Sequence, residues 1–134
     1  MTHESTATVL LIEDFEEWRY QERKLLFAHP EWKIIYEARD GAEGVRKAAE
    51  LQPDIILLDV GLPKLNGIEA ARRIGQASPQ VQIVFVTQDR DKDVKDAALS
   101  IKGTRYVLKA NAASELVPAI ASALAEHYTA ALWD

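Results

Sequence analysis

A chain of 134 residues is long enough to bury a full hydrophobic core as one domain of common size, and 48% apolar content fits a globular rather than a disordered chain. No apolar run reaches the roughly 18 residues that a membrane span needs. The formal charge of −5 argues against this segment gripping nucleic acid by itself, and the lack of cysteine removes disulfides and thiolate metal sites.

The opening "MTHESTATVLL" has no basic region followed by a long apolar stretch, so a secretory signal is not expected and a cytoplasmic location is. The first strand-like run, "ATVLLI" (Ala7 to Ile12), ends on Glu13-Asp14. A helix follows in which Trp18, Leu25 and Leu26 share a face. Glu22 falls on the same face and is expected near a rim, within reach of water. "WKIIYEA" (Trp32 to Ala38) is mixed in character and reads as an edge strand. Asp40-Gly41-Ala42-Glu43 resembles a capping box, with Asp40 as cap and Glu43 reaching back, before the stripe Val45, Ala48, Ala49. "DIILL" (Asp54 to Leu58) ends on Asp59, and the chain then turns through Gly61 and Pro63.

Asn66-Gly67-Ile68-Glu69 repeats the capping logic ahead of Ala70, Ala71 and Ile74. "VQIVFV" (Val81 to Val86) leads into Thr87, Gln88 and Asp89. Val94, Ala97, Ala98 and Ile101 keep helical spacing, and Gly103 is expected to cap that helix one residue late. "TRYVL" (Thr104 to Leu108) ends on Lys109, and Leu116, Ala119, Ile120, Ala123 and Leu124 mark the last helix. The tail "EHYTAALWD" continues that helix or begins a linker. His3, His29 and His127 are scattered and read as surface residues.

Strand then helix, five times over, predicts an α/β fold: a five-stranded, doubly wound parallel sheet in a three-layer α/β/α sandwich. Three of the runs are almost continuously apolar, as strands covered on both faces are. Right-handed crossovers bring the strand C-termini to one edge, where such folds bind ligands. Glu13, Asp14, Asp59, Thr87 and Lys109 therefore converge. Clustered carboxylates suit a hard divalent cation such as Mg²⁺. A carboxylate can attack phosphorus to give an acyl phosphate, and a hydroxyl, an ammonium and a metal can then steady the phosphoryl oxygens. Singly, each residue reads as a turn former or solvated surface; the four strand ends together do not.

The elements "LLIED", "DIILLDVGLPKLNGIEAARRI", "IVFVT" and "YVLK", in this order and spacing, resemble the receiver domain of bacterial two-component response regulators, a CheY-like (βα)5 fold. The resemblance runs from about Val9 to Tyr128, with a single domain over 1–134 and a core of about 8–128. "YVLKANAASELVPAI" is most similar to receivers joined to a LuxR/NarL-type helix-turn-helix output domain. By this resemblance Asp59 accepts the phosphoryl group, and Asp14, Asp59, the carbonyl of Gly61 and, through water, Glu13 hold Mg²⁺. Lys109 pairs with Asp59 and then with the phosphoryl group. Thr87 bonds a phosphoryl oxygen, and Tyr106 is the switch aromatic.

The implied partners are a sensor histidine kinase, a second copy met through the fourth helix, fifth strand and fifth helix, and a DNA-binding output domain if the chain is longer. The implied activity is a switch that controls an output, with transcription regulation foremost, rather than a turnover enzyme. Glu13 stands where Asp is commoner and Gln88 where a small residue is usual. Gly61 and Asp89 occupy the variable positions thought to tune phosphoryl lifetime. Ala110 follows Lys109 where many receivers carry proline, and a trans bond is expected there.

The alternative is a phosphorylation-silent pseudo-receiver acting by protein–protein contact. A haloacid-dehalogenase-like phosphatase wants a second Asp at the position of Gly61, and a flavodoxin-like nucleotide binder would be repelled by "EDFEEW".

Overall fold

The computed structural model describes residues 6–133, in which strands and helices alternate along the chain. They are β1 (Ala7–Ile12), α1 (Glu16–Phe27), β2 (Trp32–Ala38), α2 (Gly41–Leu51), β3 (Ile55–Leu58), α3 (Gly67–Ala77), β4 (Gln82–Thr87), α4 (Lys92–Leu99), β5 (Thr104–Leu108) and α5 (Ala112–Trp133). A 3₁₀ turn, Lys109–Asn111, joins the last two. All strand pairs are parallel and the order is β2-β1-β3-β4-β5, so the mixed run at Trp32–Ala38 is an edge strand, as read from its composition.

The two-residue period of a strand sorts the apolar side chains onto the two faces. Leu10, Ile12, Ile56, Leu58, Ile83 and Phe85 meet Ala48 of α2, Ala70, Ala71 and Ile74 of α3, and Ala98 of α4. The alternate residues Val9, Leu11, Ile55, Leu57, Val84 and Val86 meet Leu26 of α1 and Leu116, Ile120, Ala123 and Leu124 of α5. Burial on both faces explains why β3 and β4 are apolar throughout apart from Gln82 and Thr87 at the ends of β4.

The helix starts follow the sequence in part. Asp40 accepts from the Glu43 N–H and Asn66 from the Glu69 N–H, so both caps form. The return half of each box is different. Glu43 accepts from the Arg39 N–H and the Tyr36 hydroxyl, and Glu69 instead pairs with Arg72 and Arg73. Gly103 does not cap α4. That helix ends at Leu99 with Ser100 in helical conformation, and Gly103, at φ +76°, turns the chain into β5.

Two readings of polar residues are corrected. Glu22 lies 2% exposed on the inner face of α1, not at a rim, because the side of the helix that carries Trp18 and Leu26 packs inward along its whole length. His127 is half-buried: Nδ1 lies 3.0 Å from the Gln80 carbonyl and Nε2 3.1 Å from Asp54. His29 is also half-buried, stacked on Trp32 at 4.4 Å. His3 lies outside the described residues. All peptide bonds among the described residues are trans, Lys109-Ala110 included.

Candidate functional site

Four of the five strands deliver residues to one edge. Glu13 and Asp14 follow β1, Asp59 follows β3, Thr87 closes β4, and Lys109 follows β5. With Phe15, Gly61, Gln88 and Asp89 they line an open cleft of about 520 Å³. The loop beneath Asp59 is closed tightly. The Gly67 N–H donates to the Val60 carbonyl at 2.8 Å, and a Cβ on Gly67 would sit 2.0 Å from the Asp59 carbonyl oxygen. Only glycine lets α3 start so close under the aspartate.

Glu13, Asp14 and Asp59 each place an oxygen within 4.8 Å of the others. Asp14 is exposed, whereas Glu13 and Asp59 are buried to 2% and 8%. One cation answers them: Lys109 Nζ lies 2.9 Å from Glu13 Oε1 and 3.4 Å from Asp59 Oδ2. The Glu13 contact is close but poorly angled, and Oε1 completes no hydrogen bond. Glu13 Oε2 accepts from the Phe15 N–H, and Asp59 Oδ1 accepts from the Gly61 N–H at a long 3.3 Å.

Burial first, and the Asp59 charge second, push the Glu13 carboxyl up to about 7 against the pull of Lys109. Burial would lower the Lys109 ammonium, but contact with Glu13 and the nearby Asp59 charge outweigh it and raise it. An ammonium alone thus leaves the carboxylates under-neutralised. Oxygen donors this close, one of them an unsatisfied buried atom, fit a hard divalent cation.

Thr87 is buried, and its Oγ1 accepts from the Asp89 N–H at 3.2 Å. Gln88 is exposed on the lip of the cleft. Tyr106 is half-buried with its ring 6.1 Å from Phe85, and its hydroxyl donates to the Asp89 carbonyl at 2.9 Å rather than to water. Thr87 and Tyr106 are therefore both tied to the segment that follows β4.

Sequence reasoning missed Arg19. It is 4% exposed, and its Nη1 donates to the Glu13 carbonyl at 2.7 Å. The same guanidinium pairs with Glu16 and, at 3.3 Å, with Glu37, clamping the acidic loop to the end of β2. The available signal was an arginine beside Trp18 and Glu22 on the inner face of α1.

The response regulator receiver domain family matches residues 9–121 of this chain. The transcriptional regulatory protein LiaR of Bacillus subtilis (strain 168) is 38% identical over 115 residues, which cover 86% of this chain and 54% of LiaR. The nitrate/nitrite response regulator protein NarL of Escherichia coli (strain K12) is 32% identical over 126 residues, covering 93% of this chain and 58% of NarL. The crystal structure of a LuxR-family two-component response regulator from Aurantimonas sp. SI85-9A1 superposes with a TM-score of 0.84 at 34% identity, covering 90% of this chain and 86% of that one. The chain spans about half the length of the curated relatives it matches.

Proposed function

This chain belongs to the response regulator receiver family of two-component signalling, and from that premise we propose that it accepts a phosphoryl group on Asp59 and thereby switches the surface of α4, β5 and α5. The observation that carries the proposal is the pairing of Asp59 with Lys109 at 3.4 Å, inside a cleft where two further carboxylates crowd the same point.

In this reading an Asp59 oxygen attacks the phosphorus of a phosphohistidine on a sensor histidine kinase. The new O–P bond forms as the P–N bond breaks, and the imidazole leaves with a proton. Asp14, Asp59 and the Gly61 carbonyl, with Glu13 through water, would hold Mg²⁺, whose charge would offset that of the phosphoryl oxygens. Lys109 swings from Glu13 and Asp59 onto a phosphoryl oxygen. Thr87 gives up the Asp89 N–H and donates its hydroxyl proton to another. Tyr106 then releases the Asp89 carbonyl and turns into the space that Thr87 leaves, which reshapes the face of α4, β5 and α5.

Output follows the relatives, two of which are named as transcriptional or nitrate/nitrite response regulators. We place this domain in a cytoplasmic protein whose α4-β5-α5 face meets a second copy or an output domain; no described helix is long and apolar enough to cross a membrane. The domain acts as a switch rather than a turnover enzyme.

The test is labelling by radioactive acetyl phosphate in the presence of Mg²⁺. The parent protein should take label and Asp59→Asn none. Label kept by the Asn variant would overturn the assignment, and a parent that neither labels nor binds beryllofluoride would be a pseudo-receiver.

A further inference from the structure

The inner face of α1 holds polar atoms that nothing satisfies. The Trp18 indole nitrogen and Glu22 Oε1 are both buried, and neither completes a hydrogen bond. Buried polar groups in that state cost stability, and native folds keep few of them. A carboxyl at position 22 is therefore a liability among the apolar neighbours Trp18, Leu25 and Leu26 of α1.

That face meets the site through Trp18, which borders Lys109. The ammonium sits 5.3 Å from the centre of the Trp18 ring, in range of the ring's negative face. Glu22 is one helical turn beyond Trp18 on the same side of α1. Burial raises the Glu22 carboxyl well above its ordinary range. The charge of Glu13 acts in the same direction and that of Lys109 against it. The Trp18 N–H is near enough to favour the carboxylate form, though the pair does not align into a hydrogen bond.

We propose that Glu22 is a positioning residue for Lys109: with Trp18 it forms the inner wall that holds the ammonium in the site while Glu13 and Asp59 are engaged elsewhere. This rests on the receiver reading. Glu13 and Asp59 are the carboxylates closest to Lys109, and both belong to the set that would hold a metal ion. Once they turn to a cation or a phosphoryl group, Glu22 is a nearby carboxyl with no such duty. It lies on a helix, fixed by packing, and so keeps Lys109 within reach of the incoming group.

The test compares Glu22→Leu, Glu22→Gln and Trp18→Phe with the parent, reading Tm without metal and the initial rate of labelling by acetyl phosphate with Mg²⁺. Glu22→Leu should raise Tm and slow labelling severalfold. Glu22→Gln, which keeps the shape and a polar end, should label close to the parent rate. Trp18→Phe, which keeps a ring face, should do the same. Glu22→Leu labelling as fast as the parent would overturn the proposal. So would a joint loss of Tm and rate in the Leu and Gln variants, which marks simple packing. If the leucine chain does not fold, Glu22→Met carries the same expectations. A parent that takes no label would instead overturn the receiver reading itself.

Discussion

Strand β3 has an aspartate at each end, Asp54 just before Ile55 and Asp59 just after Leu58, and the two are treated in opposite ways. Asp54 Oδ2 accepts from the Thr8 N–H at 2.8 Å and from its hydroxyl at 3.2 Å, and Oδ1 lies 3.1 Å from His127 Nε2. Among the described residues, the Asp59 carboxylate has two contacts, both long: the Gly61 N–H at 3.3 Å and Lys109 at 3.4 Å. A larger cleft, about 780 Å³, opens at the Asp54 edge, yet the acidic and imidazole groups there already have partners. A well-bonded carboxylate is a fastener, here pinning β1, β3 and the far part of α5 together. An under-bonded one, crowded by like charge, has bonding capacity left for a ligand.

The sharpest way to break this comparison is to treat both aspartates alike. Asp59→Asn should lose all phosphoryl labelling and keep its fold, because it removes one of several crowded carboxylates. Asp54→Ala should do the reverse. It should label normally but lose about 1–3 kcal/mol in urea unfolding, since the Thr8 N–H and His127 lose their acceptor. Loss of labelling in the Asp54 variant, at a temperature where it is folded, would show that the two ends are not independent.

The second contrast is in pH. At the Asp59 end, the folded chain keeps a proton on Glu13, held at about 7 chiefly by burial, where the unfolded chain releases it near 4.5. Glu22, raised well above its ordinary range chiefly by burial, behaves likewise. A raised carboxyl pKa means that the folded state binds more protons in that window. The contribution is fully present below the unfolded value and is lost as pH rises through the folded one. The Tm of the metal-free protein should therefore fall between about pH 5 and pH 7. Glu22→Gln should flatten the fall in part, and saturating Mg²⁺ should oppose it. A Tm that climbs over this range would mean that both carboxyls are already ionised in the fold.

Much of this was legible in the sequence because it depends on period and order. The uninterrupted apolar runs gave β3 and β4, the mixed run gave edge strand β2, and the strand ends brought Glu13, Asp14, Asp59, Thr87 and Lys109 into one cleft. What escaped depends on which way single side chains turn in three dimensions. Glu22 was expected to reach water because buried carboxylates are rare, and only the packing of α1 shows that it cannot. Arg19 and His127 look like surface residues in a helical pattern. Their roles come from partners at Glu37 and Asp54, far away in sequence and brought near by the crossovers. Glu43 and Glu69 obeyed the capping pattern only halfway, because Tyr36 and two arginines offered better partners.

The smallest expected effect sharpens the comparison on the Asp59 side alone. The chain leaves that aspartate through Gly61 and re-enters a helix at Gly67, and the two glycines differ. A Cβ on Gly67 would meet the Asp59 carbonyl, whereas a Cβ on Gly61 would meet nothing within 4 Å. The positive φ among the glycines belongs to Gly103, so Gly61 is in a conformation open to other residues. Gly61→Ala should thus change stability by no more than about 0.5 kcal/mol in urea unfolding, with the m-value unchanged. Its methyl would stand on the lip of the cleft, two residues from Asp59. The decay of labelled Asp59 in this variant then reads the lip without disturbing the frame. A change in phosphoryl lifetime at constant stability would locate that control in the open rim of the site, and a loss of stability beyond this bound would show that the rim is part of the frame after all.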